Sequence, residues 1–210
     1  RYLRLISAFL DAGFVVVADD HAGHGKTAMT SGIWADAGSQ ADKVVVQDER
    51  TLLSLAQERF PGLPVVVFGH SWGSMIARPL AASLGEDLAG LALGGVASQM
   101  EGFEHQLDRA ALAAEPDREG PAPDAYVGQL FAGFTSRYGE GAGATDWIAT
   151  DAGVVHDHAI DPLNNFGAPM TTRFLQGFVD LYDTATSDDW YAGLRSDLPV
   201  LIVAGDADPV

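Results

Sequence analysis

The 210-residue sequence contains no cysteine. That excludes a disulfide framework, a thiolate-bound metal and a cysteine nucleophile, and it fits a reducing, cytoplasmic setting. Positive charge is also scarce. Twelve Lys+Arg face 29 Asp+Glu, the formal net charge is -17, and Lys26 and Lys43 are the only lysines. Nucleic acid is therefore a poor partner, because phosphate binding needs clustered Lys and Arg. A polybasic hold on an anionic membrane fails for the same reason. No apolar run approaches the roughly 20 residues of a spanning helix, so no integral membrane segment is expected. Leu5–Leu10 is short and runs into Asp11-Ala12-Gly13 without a cleavage site, so it reads as a helix ending at Gly13 and not as a signal peptide. Neither a repeat nor a low-complexity linker is evident.

What remains is a chain able to bury a core, with 47% hydrophobic and 20% charged residues. Four short apolar runs, Phe14–Ala18, Val65–Phe68, Leu88–Leu93 and Val200–Ala204, read as strands covered on both faces. A helical pattern over Asp42–Phe60 puts Val46, Leu52, Leu53, Ala56 and Phe60 on one stripe and Glu49 outside it. Pro61-Gly62-Leu63-Pro64 stops that helix, and a second one spans Ser71–Leu84. Strand–helix alternation predicts an α/β class with a doubly wound, mostly parallel sheet. Residues 98–190 break the rhythm. They hold helical stretches at Phe103–Ala114, Ala125–Tyr138 and Thr171–Tyr182 and most of the aromatic residues. The expected division is a first core piece over 1–97, a helical cap over 98–190 with some aromatics facing a ligand, and a second core piece over 191–210.

Gly69-His70-Ser71-Trp72-Gly73 follows an apolar strand and opens a helix. In that context Gly-x-Ser-x-Gly is a nucleophile elbow: the serine sits on a strained turn with its oxygen exposed. Ser71 is the expected nucleophile, and the Trp72 N–H, at the helix N-terminus, an oxyanion donor. Gly69 and Gly73 are read as keeping side chains out of the turn. His70 points poorly for a general base and is read as structural.

The segment Leu198–Val210 is a strand ending in the turn Gly205-Asp206-Ala207-Asp208. An acid at the C-terminal end of a strand can orient an imidazole. Asp208 is preferred and Asp206 competes with it. The chain order Ser, acid, His then calls for a later histidine, yet His21, His24, His70, His105, His156 and His158 all precede Asp208. His156-Asp157-His158, read as extended, sends its imidazoles to opposite sides, and no metal or cofactor is assigned. Gly25-Lys26-Thr27 resembles the tail of a phosphate-binding loop, but Asp20 stands where that motif needs glycine.

The elbow, Asp20-His21-Ala22-Gly23-His24-Gly25 and Pro61-Gly62-Leu63-Pro64 together resemble the monoacylglycerol lipase/lysophospholipase-like group of α/β-hydrolases, of the serine aminopeptidase S33 (Hydrolase_4) type. Asp146-Trp147 and Ala159-Ile160-Asp161-Pro162 are similar to the cap of bacterial members. The resemblance strengthens Asp208 as the acid and places His21 and His24 in a structural turn. It implies a carboxylic ester hydrolase (EC 3.1.1 type) with a small-molecule ester or lipid substrate, no cofactor and an undetermined oligomeric state. Arg1-Tyr2 looks like the pair opening the group's first helix. By the same likeness a preceding oxyanion loop and a following histidine lie outside the 210 residues, so the fold is expected to be incomplete at both ends and the chain alone inactive. Two alternatives stay open: a non-catalytic binding module, and the same triad used as peptidase, lactonase or perhydrolase.

Overall fold

The computed structural model describes residues 2–165 and 167–209. Arg1 of the Arg1-Tyr2 pair, Val210 at the end of the acid segment and Phe166 among the cap aromatics lie outside them. The sheet holds three described strands, β1 (Val65–Ser71), β2 (Leu88–Val96) and β3 (Val200–Val203), in the order β1-β2-β3. All pairing is parallel, from Val65 opposite Leu88 to Ser71 opposite Val96, and from Leu91 opposite Val200 to Gly94 opposite Val203. The C-terminal ends of β1 and β3 therefore lie at the same end of the sheet, where open α/β folds place their ligands.

Ten helices accompany these strands among the described residues: α1 (Leu3–Asp11), α2 (Gly25–Ser31), α3 (Ala41–Arg59), α4 (Trp72–Leu84), α5 (Glu101–His105), α6 (Arg109–Ala113), α7 (Asp124–Leu130), α8 (Ala152–Ile160), α9 (Thr172–Thr186) and α10 (Asp189–Ala192). Asp42 in the first turn of α3 and Arg59 in its last complement the helix dipole. Helix α4 packs Ala77 and Ala81 onto Leu88, Leu91 and Leu93 of β2. Its Met75 and Ile76 join Val45 of α3, Phe103 of α5 and Phe174, Leu175, Val179 and Tyr182 of α9 in the main core. A Cβ on Gly177 of α9 would lie 2.7 Å from the Ala41 Cβ of α3, so that glycine sets how closely the two helices cross.

Several expectations are corrected. Phe14–Ala18 is not a strand; Phe14, Val15 and Val17 are about half exposed. A strand needs a neighbour at hydrogen-bonding distance, and none of the three described strands pairs with this segment. The expectation of strands covered on both faces holds for β2. It fails for β3, where all four residues are exposed, and for Val66 and Phe68 of β1. On α3 the buried residues are Ala41 and Val45, and Phe60 is exposed, because the crossing with α9 covers only the N-terminal half. Phe103–Ala114 divides into α5 and α6, where Asp108 caps a new helix by accepting from the Ala111 N–H at 2.9 Å. Helix α7 ends at Leu130, shortly before Gly133, whose φ of +84° no helix continues through. His156-Asp157-His158 is not extended. It lies in α8, capped by Asp151, whose carboxylate accepts from Gly153 and Val154. A two-residue step on a helix still turns about 200°, so the two imidazoles do not converge.

Candidate active site

Strand β1 delivers Ser71 and α4 begins at the next residue. Ser71 has φ 53° and ψ -119°, a conformation that a non-glycine residue adopts only when its surroundings enforce it. The parallel register shifts at His70/Ser71, so the strand is released from its ladder where it must turn. A Cβ on Gly69 would strike the Gly73 carbonyl oxygen and lie 2.7 Å from the Ala77 Cβ. A Cβ on Gly73 would meet nothing within 4 Å. The packing role expected of both glycines therefore belongs to Gly69. Buried Ser74, not singled out from the sequence, fastens the turn: its hydroxyl donates to the Ser71 carbonyl at 2.6 Å and accepts from the Ala97 N–H at 3.2 Å.

Trp72 stands at the first position of α4, where helical N–H groups have no intrahelical acceptor. Its indole is enclosed by rings. His21 forms a T-shaped pair with it at 5.1 Å, His24 lies at 4.9 Å, Phe174 at 5.7 Å, and Phe178 stacks at 6.0 Å. Much of the aromatic material between residues 100 and 191 is core: Phe103, Phe134, Phe174 and Tyr182 are buried, while Phe178, Phe131 and Trp147 are partly buried.

Asp208 lies in the turn after β3, its N–H donating to the Gly205 carbonyl at 3.3 Å. A Cβ on Gly95 would lie 3.0 Å from His70 Nε2 and 3.4 Å from Asp208 Oδ2, so both side chains approach the backbone at Gly95. Burial lowers the pKa of His70, and the Asp208 charge partly opposes the shift. The other His70 nitrogen, Nδ1, meets the Tyr2 hydroxyl at 3.0 Å. Asp206, the competitor, is exposed, and its carbonyl accepts from Arg137 at 3.2 Å. Among the described residues no histidine is hydrogen-bonded to Ser71. His158 is engaged with Asn164, and His105 ends α5.

The Asp19–Gly25 turn carries a group the sequence did not reveal. His21 Nδ1 lies 3.2 Å from Glu49 Oε1 and 3.5 Å from Asp19 Oδ1, a single N–H shared between two carboxylates and aligned with neither. Burial alone would lower the His21 pKa; the carboxylates of Asp19 and Glu49 outweigh it and lift the value to about 9. The interaction with His21 lowers the pKa of Asp19. The three residues place one ligand atom each within 4.8 Å of one another, but the proton on His21 competes with any cation there. Burial keeps His24 below its ordinary pKa, and its Nδ1 contacts the Ala22 carbonyl at 3.0 Å. At the start of α2, Asp20 takes the Lys26 N–H at 2.9 Å and the Thr27 hydroxyl at 2.6 Å, using the donors a phosphate would need. Glu49 was read as outward-facing, and nothing in its helical stripe pointed to a histidine so distant in sequence.

The family described as "Serine aminopeptidase, S33" (Hydrolase_4) matches residues 1–210. A lipase solved in its open form superposes with a TM-score of 0.95 and 54% identity, over 100% of this chain and 68% of that one. A highly thermostable carboxyl esterase from Bacillus coagulans, solved in complex with glycerol, gives 0.93 and 40% over the same shares. Human monoglyceride lipase is 33% identical over 93 residues, 44% of this chain but only 29% of the human protein.

Proposed function

The chain belongs to the serine aminopeptidase S33 (Hydrolase_4) family, and on that premise we propose that the protein is a serine hydrolase of carboxylic esters, of monoacylglycerol or lysophospholipid type. The observation that carries this reading is Ser71, held at φ 53° between β1 and α4. The strain keeps the hydroxyl at the tip of the elbow, where it can attack an ester carbonyl. A histidine takes the seryl proton and returns it to the leaving alcohol, and water activated by the same histidine then cleaves the acyl-serine to release the acid; by chain order that histidine follows Asp208, which orients it. The Trp72 N–H donates to the oxyanion as negative charge develops beside the α4 N-terminus. Residues 98–190 serve as the cap, and Phe178 with the Trp72 indole supplies apolar surface near the elbow. The lipid-ester substrate draws support from the monoglyceride specificity in the name of the human relative.

A second reading keeps the nucleophile and changes the bond: the family description itself names an aminopeptidase. One panel separates the two. The complete gene product is assayed against p-nitrophenyl esters, monoacylglycerols, lysophospholipids and aminoacyl p-nitroanilides, as wild type and as Ser71→Ala. Ester turnover falling at least about 10³-fold in Ser71→Ala is expected. Unchanged turnover rejects the assignment, and hydrolysis of anilides alone selects the peptidase.

A further inference from the structure

The residues used so far account for the nucleophile, one oxyanion donor and the acid, but not for the side chains gripping the post-strand turn behind Trp72. Two carboxylates from different parts of the chain, Asp19 beside the turn and Glu49 on α3, converge on one histidine nitrogen. The His21 and Trp72 rings form a T-shaped pair, their centroids 5.1 Å apart and their planes at 80°. A ring edge carries positive charge towards the negative face of its neighbour, and a protonated imidazole strengthens that attraction. Trp72 is the residue whose N–H faces the developing oxyanion in the proposed reaction. We propose that His21, clamped by Asp19 and Glu49, is a positioning residue that fixes the Trp72 indole and thereby aligns the Trp72 N–H for the oxyanion. The catalytic half of this inference rests on the proposed esterase reading; the coupling of His21 to Trp72 does not.

The groups facing His21 are few. Its own turn contributes Asp19 and His24, α3 contributes Glu49, and α4 presents the uncharged Trp72. Phe174 of α9 lies behind, against both Trp72 and His24. His24 is held below its ordinary pKa, first by burial, with the His21 charge adding to the shift. The clamp therefore has one titrating base. Its folded pKa, about 9, stands above the roughly 6.5 of a free histidine. The stability it contributes is complete below the lower value, and in the folded protein the clamp itself is lost as pH rises through the higher one. Losing it costs kcat, because the oxyanion develops only in the transition state, and leaves KM nearly unchanged.

The test uses the complete gene product, ¹⁵N-labelled, as wild type, Glu49→Gln and His21→Gln. In wild type the His21 ring titrates by NMR near pH 9, and the Trp72 indole N–H resonance moves with the same midpoint. In Glu49→Gln both midpoints fall together, by about one pH unit. In His21→Gln the Trp72 shift disappears. With a p-nitrophenyl ester, kcat of wild type declines on the alkaline side with that midpoint, and the limb moves with Glu49→Gln. His21→Gln lowers kcat about tenfold, with KM within twofold and no alkaline limb near pH 9. A Trp72 resonance indifferent to the His21 titration overturns the proposal whatever the enzyme does. Equal kcat and an unmoved alkaline limb in Glu49→Gln and His21→Gln overturn its catalytic half. If Ser71→Ala keeps wild-type turnover, the esterase assignment fails instead, and the NMR coupling still decides the clamp.

Discussion

At the level of single residues, one missing Cβ shapes the elbow. Gly69 lies in a space closed by the Gly73 carbonyl and Ala77, whereas Gly73 faces open space. Gly69→Ala forces the backbone of the turn apart and is expected to cost about 3 kcal/mol, at the upper end of overpacking penalties. For a domain of this length that is roughly 6–12 °C in Tm. Gly73→Ala is expected to stay within about 2 °C, since its new methyl displaces nothing. Differential scanning calorimetry of the two variants decides the point, and equal losses would remove the close packing at Gly69 as the cause. Arg78 is similarly specific. It is buried on α4 without a carboxylate, and it donates to the carbonyls of Ser74 at 3.0 Å, Ala185 at 2.7 Å and Ala97 at 2.5 Å. Burial lowers its pKa to about 10. Its guanidinium satisfies three backbone groups from α4, α9 and the end of β2 at once, a geometry an ammonium cannot reproduce.

At the scale of elements, α9 ties the helices together, and its first turn does so electrostatically. Arg173 clasps Asp36 with Nε 3.1 Å from both carboxylate oxygens and Nη2 at 2.6 Å, and also reaches Glu119 at 3.1 Å. The Asp36 side chain is only 6% exposed. Arg173→Ala leaves that carboxylate buried and uncompensated, at an expected cost of about 3 kcal/mol; adding Asp36→Asn returns part of the loss. The sign of the pH effect follows. Burial raises the Asp36 pKa, Arg173 outweighs it, and the net shift is downward. The pair stabilises fully above the unfolded value of about 3.9 and fades as pH falls through the folded one. Urea titrations of wild type and both variants at pH 7 and pH 3 should therefore converge at the acid end; a constant gap across pH would remove the ion pair as the cause.

Elements also show where sequence periodicity informs and where it stops. The α/β-hydrolase architecture was legible because β1, α4 and β2 follow one another with turn chemistry between them, and a single motif fixes the junction. Val65–Phe68 and Leu88–Leu93 carried their strand signal in apolar runs, and the observed strands extend three residues further in each case. Phe14–Ala18 carried the same signal and formed no strand, because pairing is a property of the neighbour as well as of the segment. The pattern over Phe103–Ala114 joins α5 to α6, and that over Ala125–Tyr138 runs past the end of α7, since Asp108 and Gly133 mark breaks only once the backbone is known. Of the proposed site, Ser71 and Trp72 stand out by local context, whereas Asp208 is separated from Asp206 only by the resemblance to the family. Ser74 and the Asp19–His21–Glu49 clamp do not stand out, because their partners are distant in sequence and nothing local marks them.

In the 210-residue chain, which spans 68% of the similar lipase, exposed apolar surface and net charge act in opposite directions. Val200, Leu201, Ile202 and Val203 are 47%, 59%, 64% and 58% exposed, and Val66, Phe68 and Phe14 add apolar surface elsewhere. An exposed apolar edge strand invites pairing with another copy. Full burial of such a side chain is worth about 1.5–3 kcal/mol, so covering these half-exposed ones gains roughly half of that each, at short range. Against it stands the net charge of -17, which acts at longer range and is screened beyond about 8 Å at physiological salt. At low salt the repulsion dominates, and with added salt the apolar term wins. The 210-residue chain is therefore expected to run as a monomer in 10 mM salt and to self-associate above 0.15 M, binding a fluorescent apolar dye as monomer. Leu201→Lys with Val203→Lys should suppress both effects, because an inserted ammonium in that edge opposes a second strand. Light scattering across a salt series reads the outcome. A monomer at every salt concentration that binds no dye would mean that this edge is not available for pairing, and association that weakens with salt would assign it to charge instead.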